Sequence, residues 1–241
     1  MKLSILIPVY NEKQWIEPLV RKVLGQAVPG LTEKEIILVD DASNDGTTDI
    51  VRQLAAKHSS IRAFFHEVNQ GKGSAIKTAI QNMAGEVCII QDADLEYDPK
   101  DYPLVLEPII EGRADAVYGS RFTGSQSKRV LFFWHMVGNK FLTLLSNMCT
   151  NLNLTDMETC YKAFRSDLLK TIPLRSNRFG IEPEITAKIA RRRFRIFEVG
   201  ISYNGRTYQE GKKIGWKDGV QAIVIILKYW FINDSEIPAV K

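Results

Sequence analysis

Asp92, Asp94 and Glu96 place three carboxylates at alternate positions directly after the apolar run Val87-Cys-Ile-Ile. In extended chain, residues two apart point the same way, so these acids would crowd one small volume. Like charges that close repel unless something positive sits among them. A hard divalent cation, which prefers oxygen ligands, would relieve the repulsion. A polar turn after a buried strand would leave the same letters. The pattern recurs, however: Leu3-Ser-Ile-Leu-Ile-Pro-Val runs into Tyr10-Asn-Glu12, and Glu35-Ile-Ile-Leu-Val runs into Asp40-Asp41, Ser43 and Asp45. A capping carboxylate worth about 0.5–2 kcal/mol explains any one of these ends, and explains three together poorly.

Positive charge complements the acids. Gly205-Arg-Thr-Tyr-Gln-Glu-Gly-Lys-Lys213 is a basic segment between glycines; it reads either as a solvated loop or as a lid that orders over an anion. Arg206 suits a planar, bidentate phosphate contact better than a lysine would. Arg121, Lys128 and Arg129 precede the apolar block Val130–Val137, which continues as Phe141–Leu145. Cations beside a greasy surface fit a phosphate on an apolar chain, and a phosphate monoester is largely a dianion at pH 7 and needs no base. A hydroxyl acceptor would need a carboxylate in reach, for which Asp156 and Glu158 are candidates. A second block, Val220–Ile232, is apolar nearly all round a helix. Core burial explains either block; a membrane interface, with Trp134 and Trp230 at headgroup level, explains them too. Arg191-Arg-Arg-Phe-Arg195 adds charge that anionic lipid would attract. Glu182-Pro-Glu184 suits a helix N-terminus, and His58, His66 and His135 show no ligand spacing.

The elements that must position these groups alternate. Strands are expected at 3–9, 35–40, 61–65, 87–91 and 114–118, with helices at about 12–26, 46–58, 73–83 and 100–112. Thr47 or Thr48 reads as the capping hydroxyl of the second helix. Strands alternating with helices imply an α/β fold with a mostly parallel sheet, in which ligands bind beyond the carboxyl ends of the strands. All three acid groups fall there. No compositional break divides the chain, so residues 1–241 read as a single domain, with 122–241 as an acceptor-side extension.

The formal charge of +4 is mild for a dedicated nucleic-acid binder, and acids at the sheet edge would repel a phosphate backbone. Cys88, Cys149 and Cys160 are odd in number and without CxxC spacing, as expected in a reducing compartment. The first residues read as a strand, not a signal peptide. No stretch reaches the roughly 18 apolar residues of a spanning helix, so membrane contact is expected to be peripheral.

Pro8-Val-Tyr-Asn-Glu12, Asp40-Asp-Ala-Ser-Asn-Asp-Gly-Thr47, Gly71-Lys-Gly73, Asp92-Ala-Asp94 and Gly119-Ser-Arg121, in that order and spacing, resemble family 2 inverting glycosyltransferases of the GT-A fold. Asp156-Met-Glu-Thr-Cys-Tyr-Lys162 and Gly205-Arg206 through Lys212 narrow the resemblance to the branch of dolichyl-phosphate mannose synthase and the bacterial polyprenyl-phosphate glycosyltransferases. The resemblance implies one GT-A domain whose residues 1–121 hold a nucleotide sugar (GDP-mannose or a UDP-hexose). Pro8, Tyr10, Glu12, Val39, Asp41, Lys72, Asp92 and Ala93 would line that donor site, and Arg206 with Lys212 would close over its diphosphate. Asp94 and Glu96 would hold Mg²⁺ or Mn²⁺; Glu96 stands where relatives often carry Gln, and Cys160 where many carry Gly. Asp92, Asp94 and Arg121 would form the catalytic set, with Arg121 and Arg129 facing the acceptor phosphate. The implied reaction moves one sugar to a polyprenyl phosphate at the cytoplasmic membrane face. The alternative is a family 2 enzyme acting on a hydroxyl. The processive synthases' Gln-x-x-Arg-Trp motif is absent from the sequence.

Overall fold

A computed structural model describes residues 1–130, 132–207, 210 and 215–232. The strands are β1 (Lys2–Val9), β2 (Glu33–Asp40), β3 (Ile61–Phe65), β4 (Val87–Ile90), β5 (Ala116–Ser120), β6 (Lys162–Arg165) and β7 (Ile196–Gly200). The helices are α1 (Ile16–Gly25), α2 (Thr47–Lys57), α3 (Lys72–Asn82), α4 (Tyr102–Ile110), α5 (Phe133–Thr150), α6 (Ser166–Lys170), α7 (Ile181–Arg191) and α8 (Trp216–Phe231). Among the described residues the strands form one sheet in the order β3-β2-β1-β4-β6-β5-β7. Its centre is buried on both faces: Ile5, Leu6 and Ile7, Ile36 to Val39, and Val87 to Ile89 are all 0% exposed. Continuous burial of this kind, instead of alternation, marks a parallel sheet covered on both sides.

The expected strands and helices are present, with local shifts that have physical causes. α1 begins at Ile16, not near 12, because Asn11 takes φ 51 and the amides of Trp15 and Ile16 both turn back to the Glu12 carbonyl. β5 begins at Ala116, not 114, because the Ala114 amide still bonds the Pro108 carbonyl at the end of α4. The expected cap of α2 is corrected. Gly46, at φ 94, is the N-cap, and the Asp45 carboxylate accepts from the Thr47 amide at 3.0 Å. The Thr47 hydroxyl instead accepts from the Glu12 amide at 3.0 Å, tying the loop after β1 to the start of α2.

The sheet is parallel except at β6, which runs antiparallel to both β4 and β5. Its register, Val87↔Arg165 and Ile89↔Ala163, sends the residues preceding β6 past the carboxyl end of β4. The reversed strand therefore brings its entry loop, residues 156–161, to the edge where its parallel neighbours bring their exit loops. Residues from both parts of the chain meet there.

Candidate active site

Three loops at this edge are held in backbone conformations that cost something. Asn11, Ala42 and Leu95, directly after β1, β2 and β4, have φ of 51, 59 and 60. Residues in such backbone are tolerated where surroundings over-determine them, and they gather at functional sites. The positive φ of Leu95 means the 92–96 stretch is a turn, not the extended chain expected from alternation. The turn divides the acids. Asp92 Oδ1 pairs with Lys72 Nζ at 2.9 Å, whereas Asp94 Oδ2 lies 2.9 Å from the Arg206 guanidinium. Glu96 accepts from the Tyr203 hydroxyl at 2.7 Å and from the Arg206 amide at 2.8 Å.

Arg206 also reaches both oxygens of Glu12, at 3.1 and 3.3 Å. One cation thus sits among Glu12, Asp94 and Glu96, and Lys72 sits beside Asp92. Two cations against four acids leave negative charge in excess. Burial first, then the charges of Asp92 and Glu96, push the Asp94 carboxyl up to about 8 against the pull of Arg206. Asp92 goes the other way: burial opposes ionisation, but Lys72 holds it below the usual carboxylate range. Among the described residues no three His, Cys, Asp or Glu side chains form a complete ion cage. Asp94 and Glu96 are instead the partial set that suits an ion bound by one or two carboxylates together with substrate phosphates, which is how Mg²⁺ is commonly held.

Lys72 is placed by glycine. Gly71 has φ 97, and a Cβ there would lie 2.5 Å from the Asn177 carbonyl; one at Gly73 would lie 2.5 Å from that of Ser176. Only glycines let the start of α3 approach the 176–178 loop so closely. Asp41 closes the same corner. Its carboxylate accepts from the amides of Gln70 at 2.9 Å and Gly71 at 2.7 Å, and contacts His66 Nδ1 at 2.7 Å.

Across the edge, Arg121 makes a two-pronged contact with Asp156: Nε to Oδ2 and Nη2 to Oδ1, both 2.7 Å. The Arg121 amide adds a third bond to Asp156 Oδ2 at 2.9 Å. Asp156 is 0% exposed and committed to this arginine, so it is no free base. Glu158 differs: burial first, then Glu182, push its carboxyl up to about 8.

Most of these groups face one cavity of about 960 Å³, the size of a small-molecule site. Pro8, Tyr10, Glu12, Asp41, Lys72, Asp92, Ala93, Asp94, Glu96, Arg121 and Arg206 line it. Val39 does not; it is fully buried in β2. Arg129 is turned elsewhere, bonding the Gly205 carbonyl at 3.1 Å and Glu210 at 2.9 Å. Lys212, with most of the expected basic lid, lies outside the described residues. The cavity also takes in Tyr97, Tyr203, Gly138, Asn139 and Leu142, which the sequence did not single out, together with Glu182, read as suiting a helix N-terminus, and His135, read as having no ligand role. The α5 spacing of 3, 1 and 3 was a legible signal for one helix face. Nothing in the sequence joins Lys72 to Glu182.

Helix α5 has a second face. Trp134, Val137, Phe141, Leu144 and Met148 follow helical spacing and are 77%, 37%, 54%, 59% and 72% exposed. α8 adds Val220, Val224 and Phe231 at 50%, 58% and 76%. No helix among the described residues is long and apolar enough to cross a membrane.

Comparison with known proteins agrees with this geometry. The family model described as glycosyl transferase family 2 matches residues 4–172. Undecaprenyl-phosphate mannosyltransferase of Micrococcus luteus is 31% identical, over 95% of this chain and 94% of that protein. Dodecaprenyl-phosphate galacturonate synthase of Rhizobium johnstonii is 25% identical over 88% of this chain and 62% of its own length. Dolichol-phosphate mannosyltransferase of Pyrococcus furiosus is 27% identical over 89% of this chain and 60% of its own. The chain therefore spans about three fifths of the last two. Glucosyl-3-phosphoglycerate synthase of Mycobacterium tuberculosis, solved with Mn²⁺, UDP and phosphoglyceric acid, shares the fold. Its TM-score is 0.73 at 20% identity, covering 97% of this chain and 80% of that one.

Proposed function

The chain belongs to glycosyl transferase family 2, and on that premise we propose that it transfers one sugar, with inversion, from a nucleotide sugar to a polyprenyl phosphate. The observation that carries this reading is the two-sided helix α5. Its inner face, with His135, Asn139 and Leu142, lines the cavity beside Arg121, while its outer face is an exposed apolar row. An acceptor with a phosphate head and a hydrocarbon tail fits such a wall: head inside against Arg121, tail outside along Phe141 and Leu144. Contiguous exposed apolar surface of this kind marks an interaction site. We place it against the cytoplasmic face of a membrane, as a peripheral contact. Three unpaired cysteines, two of them buried, suit that reducing side.

The donor lies across the cavity. Pro8, Tyr10 and Asp41 would take the base and ribose, and Lys72 and Asp92 the sugar; all five line the cavity. Asp94 and Glu96 would hold Mg²⁺ or Mn²⁺ at the diphosphate, where such an ion neutralises the charge that grows on the leaving group. Arg206 already sits between those acids and supplies a planar cation on the same side. Arg121, fixed by Asp156, orients the acceptor phosphate for attack from the opposite side of the sugar. Two features favour a phosphate over a hydroxyl. Asp156 is committed to Arg121, and Glu158, with its carboxyl near 8, is mostly protonated at neutral pH. A phosphate dianion needs neither.

The test is transfer of labelled sugar into organic-extractable lipid. Purified protein receives polyprenyl phosphate, Mn²⁺ or Mg²⁺ and a panel of UDP- and GDP-sugars. Label in the lipid phase from one donor, lost on chelation, is the expected result. Metal-dependent nucleotide binding with no transfer from any donor overturns the acceptor assignment.

A further inference from the structure

Glu158 and Glu182 each leave one carboxylate oxygen buried without a hydrogen-bond partner among the described residues: Oε1 of Glu158 and Oε2 of Glu182. Other buried acids in the fold are satisfied. Asp40 accepts from Ser43 and Thr48, Asp101 from Ser202, and Asp156 from Arg121. An unpartnered buried acceptor costs about 1–3 kcal/mol, so two on one wall call for an explanation. Both residues line the large cavity.

Their position follows from their partners. Glu182 Oε1 lies 3.0 Å from Lys72 Nζ, which lies 2.9 Å from Asp92 Oδ1. The row Glu182–Lys72–Asp92 thus ends next to the acids at the diphosphate end. Glu158 is two residues from Asp156, the partner of Arg121 at the acceptor end, and feels the charges of both Glu182 and Arg121. In the proposed reaction the anomeric carbon must lie between Asp94 and Arg121. The sugar ring then rests on Asp92, Glu158 and Glu182.

We propose that Glu158 and Glu182 read the donor's sugar, accepting the hydroxyl hydrogens of a neutral hexose and turning away a uronate. This rests on the nucleotide-sugar reading of the cavity and names its substrate class. A hexose hydroxyl donates to either orphan oxygen and removes the desolvation cost. A uronate sets its charge beside Glu182 and Asp92, which share the single cation Lys72, and like charges set side by side cost several kcal/mol. The protonated Glu158 offers hydrogen bonds but no charge. The nearby cations are already engaged. Lys72 serves Asp92 and Glu182, while buried Lys162 donates to the Thr159 carbonyl and lies over the Tyr118 ring at 4.9 Å. Arg178 also lines the cavity but is exposed to water, which screens its charge.

The experiment is calorimetry with Mn²⁺ present and two donor pairs that differ only at C6. They are UDP-glucose with UDP-glucuronate and GDP-mannose with GDP-mannuronate; UDP and GDP serve as references. In the base series that binds, the neutral donor should bind at least about tenfold more tightly than its uronate. Glu182→Gln should shrink that ratio, and Glu158→Gln should change the affinity for the neutral donor, each leaving the Kd of the bare nucleotide within about twofold. Equal binding of hexose and uronate by the native protein overturns the proposal, and that measurement needs no variant to fold. Retention of the full ratio by Glu182→Gln, or unchanged affinity for the neutral donor in Glu158→Gln, overturns it as well. Failure to bind either nucleotide sinks the donor reading itself, which the bare-nucleotide titrations distinguish.

Discussion

Two acids of one helix turn meet opposite fates. Glu184 is among the best satisfied groups in the molecule. Its Oε1 accepts from Lys188 at 2.6 Å, the Arg175 amide at 2.7 Å and the Tyr229 hydroxyl at 2.8 Å; its Oε2 accepts from the Ser176 amide at 2.6 Å. Burial raises its carboxyl, but these bonds win and hold it below its ordinary range. Glu182, one proline away, keeps an orphan oxygen toward the cavity. The first network ties α7 to α8 and to the 175–176 loop and is complete without a ligand. The second is incomplete, and its vacancies face the place where a substrate would sit. Burial alone does not separate these two acids; the completeness of their hydrogen bonding does.

Breaking the complete network should have the largest effect. Lys188→Met leaves Glu184 charged and buried without its cation, which costs about 3–5 kcal/mol. Urea denaturation should show that loss, with nucleotide affinity unchanged in the folded fraction. A cost under about 1 kcal/mol would mean the pair is not structural.

Next comes Arg121→Ala, which breaks the cavity's own complete pair. Transfer should fall by about 100-fold or more, while titration with UDP or GDP gives Kd values close to native. An equal loss of donor affinity would move Arg121 out of the acceptor end.

Glu158→Gln sharpens the contrast from the incomplete side. A carboxyl whose folded pKa lies near 8 stabilises the fold fully below its unfolded value of about 4.3. That contribution fades as pH rises toward 8. The native protein should therefore lose stability relative to Glu158→Gln across about pH 5–8, and thermal melts at several pH values would show it. A constant difference between the two proteins would contradict the burial of that carboxyl.

The smallest effect on stability is expected at the outer face of α5. Leu144→Asp with Met148→Asp should each change stability by no more than about 0.5 kcal/mol, since both side chains are exposed. Sedimentation with anionic vesicles should nevertheless drop sharply. Unchanged vesicle binding would free this face from the membrane.

Much of the donor side was legible because its signals are local. Val87–Ile90 followed by acids reads as a strand end in any context, and β1, β2 and β3 fall where their Ile and Val runs are. Asp94, Glu96 and Arg206 are brought together as their residue types suggest, although through a turn and not through extended alternation. The acceptor side was harder. The reversal of β6 depends on pairing across the sheet, which leaves no mark in Lys162–Arg165. Lys72 meets Glu182 from 110 positions away in the sequence. The exposed faces of α5 and α8 look, as letters, like core. Their exposure is decided by what does not pack on them.

The reversal of β6 has a consequence on the far rim of the sheet. Apart from the segment after α6, the described loops that line the cavity gather at one rim of the sheet, and the other rim carries short spacers. Ser59 and the turn Glu111-Gly112-Arg113 are exposed there, and nothing crowds Gly112 within 4 Å. Chain length at that rim is free to drift, and a tag, an insertion or a new pair of termini belongs there. The catalytic rim has no such slack, because its spacing is fixed from both directions of travel along the sheet.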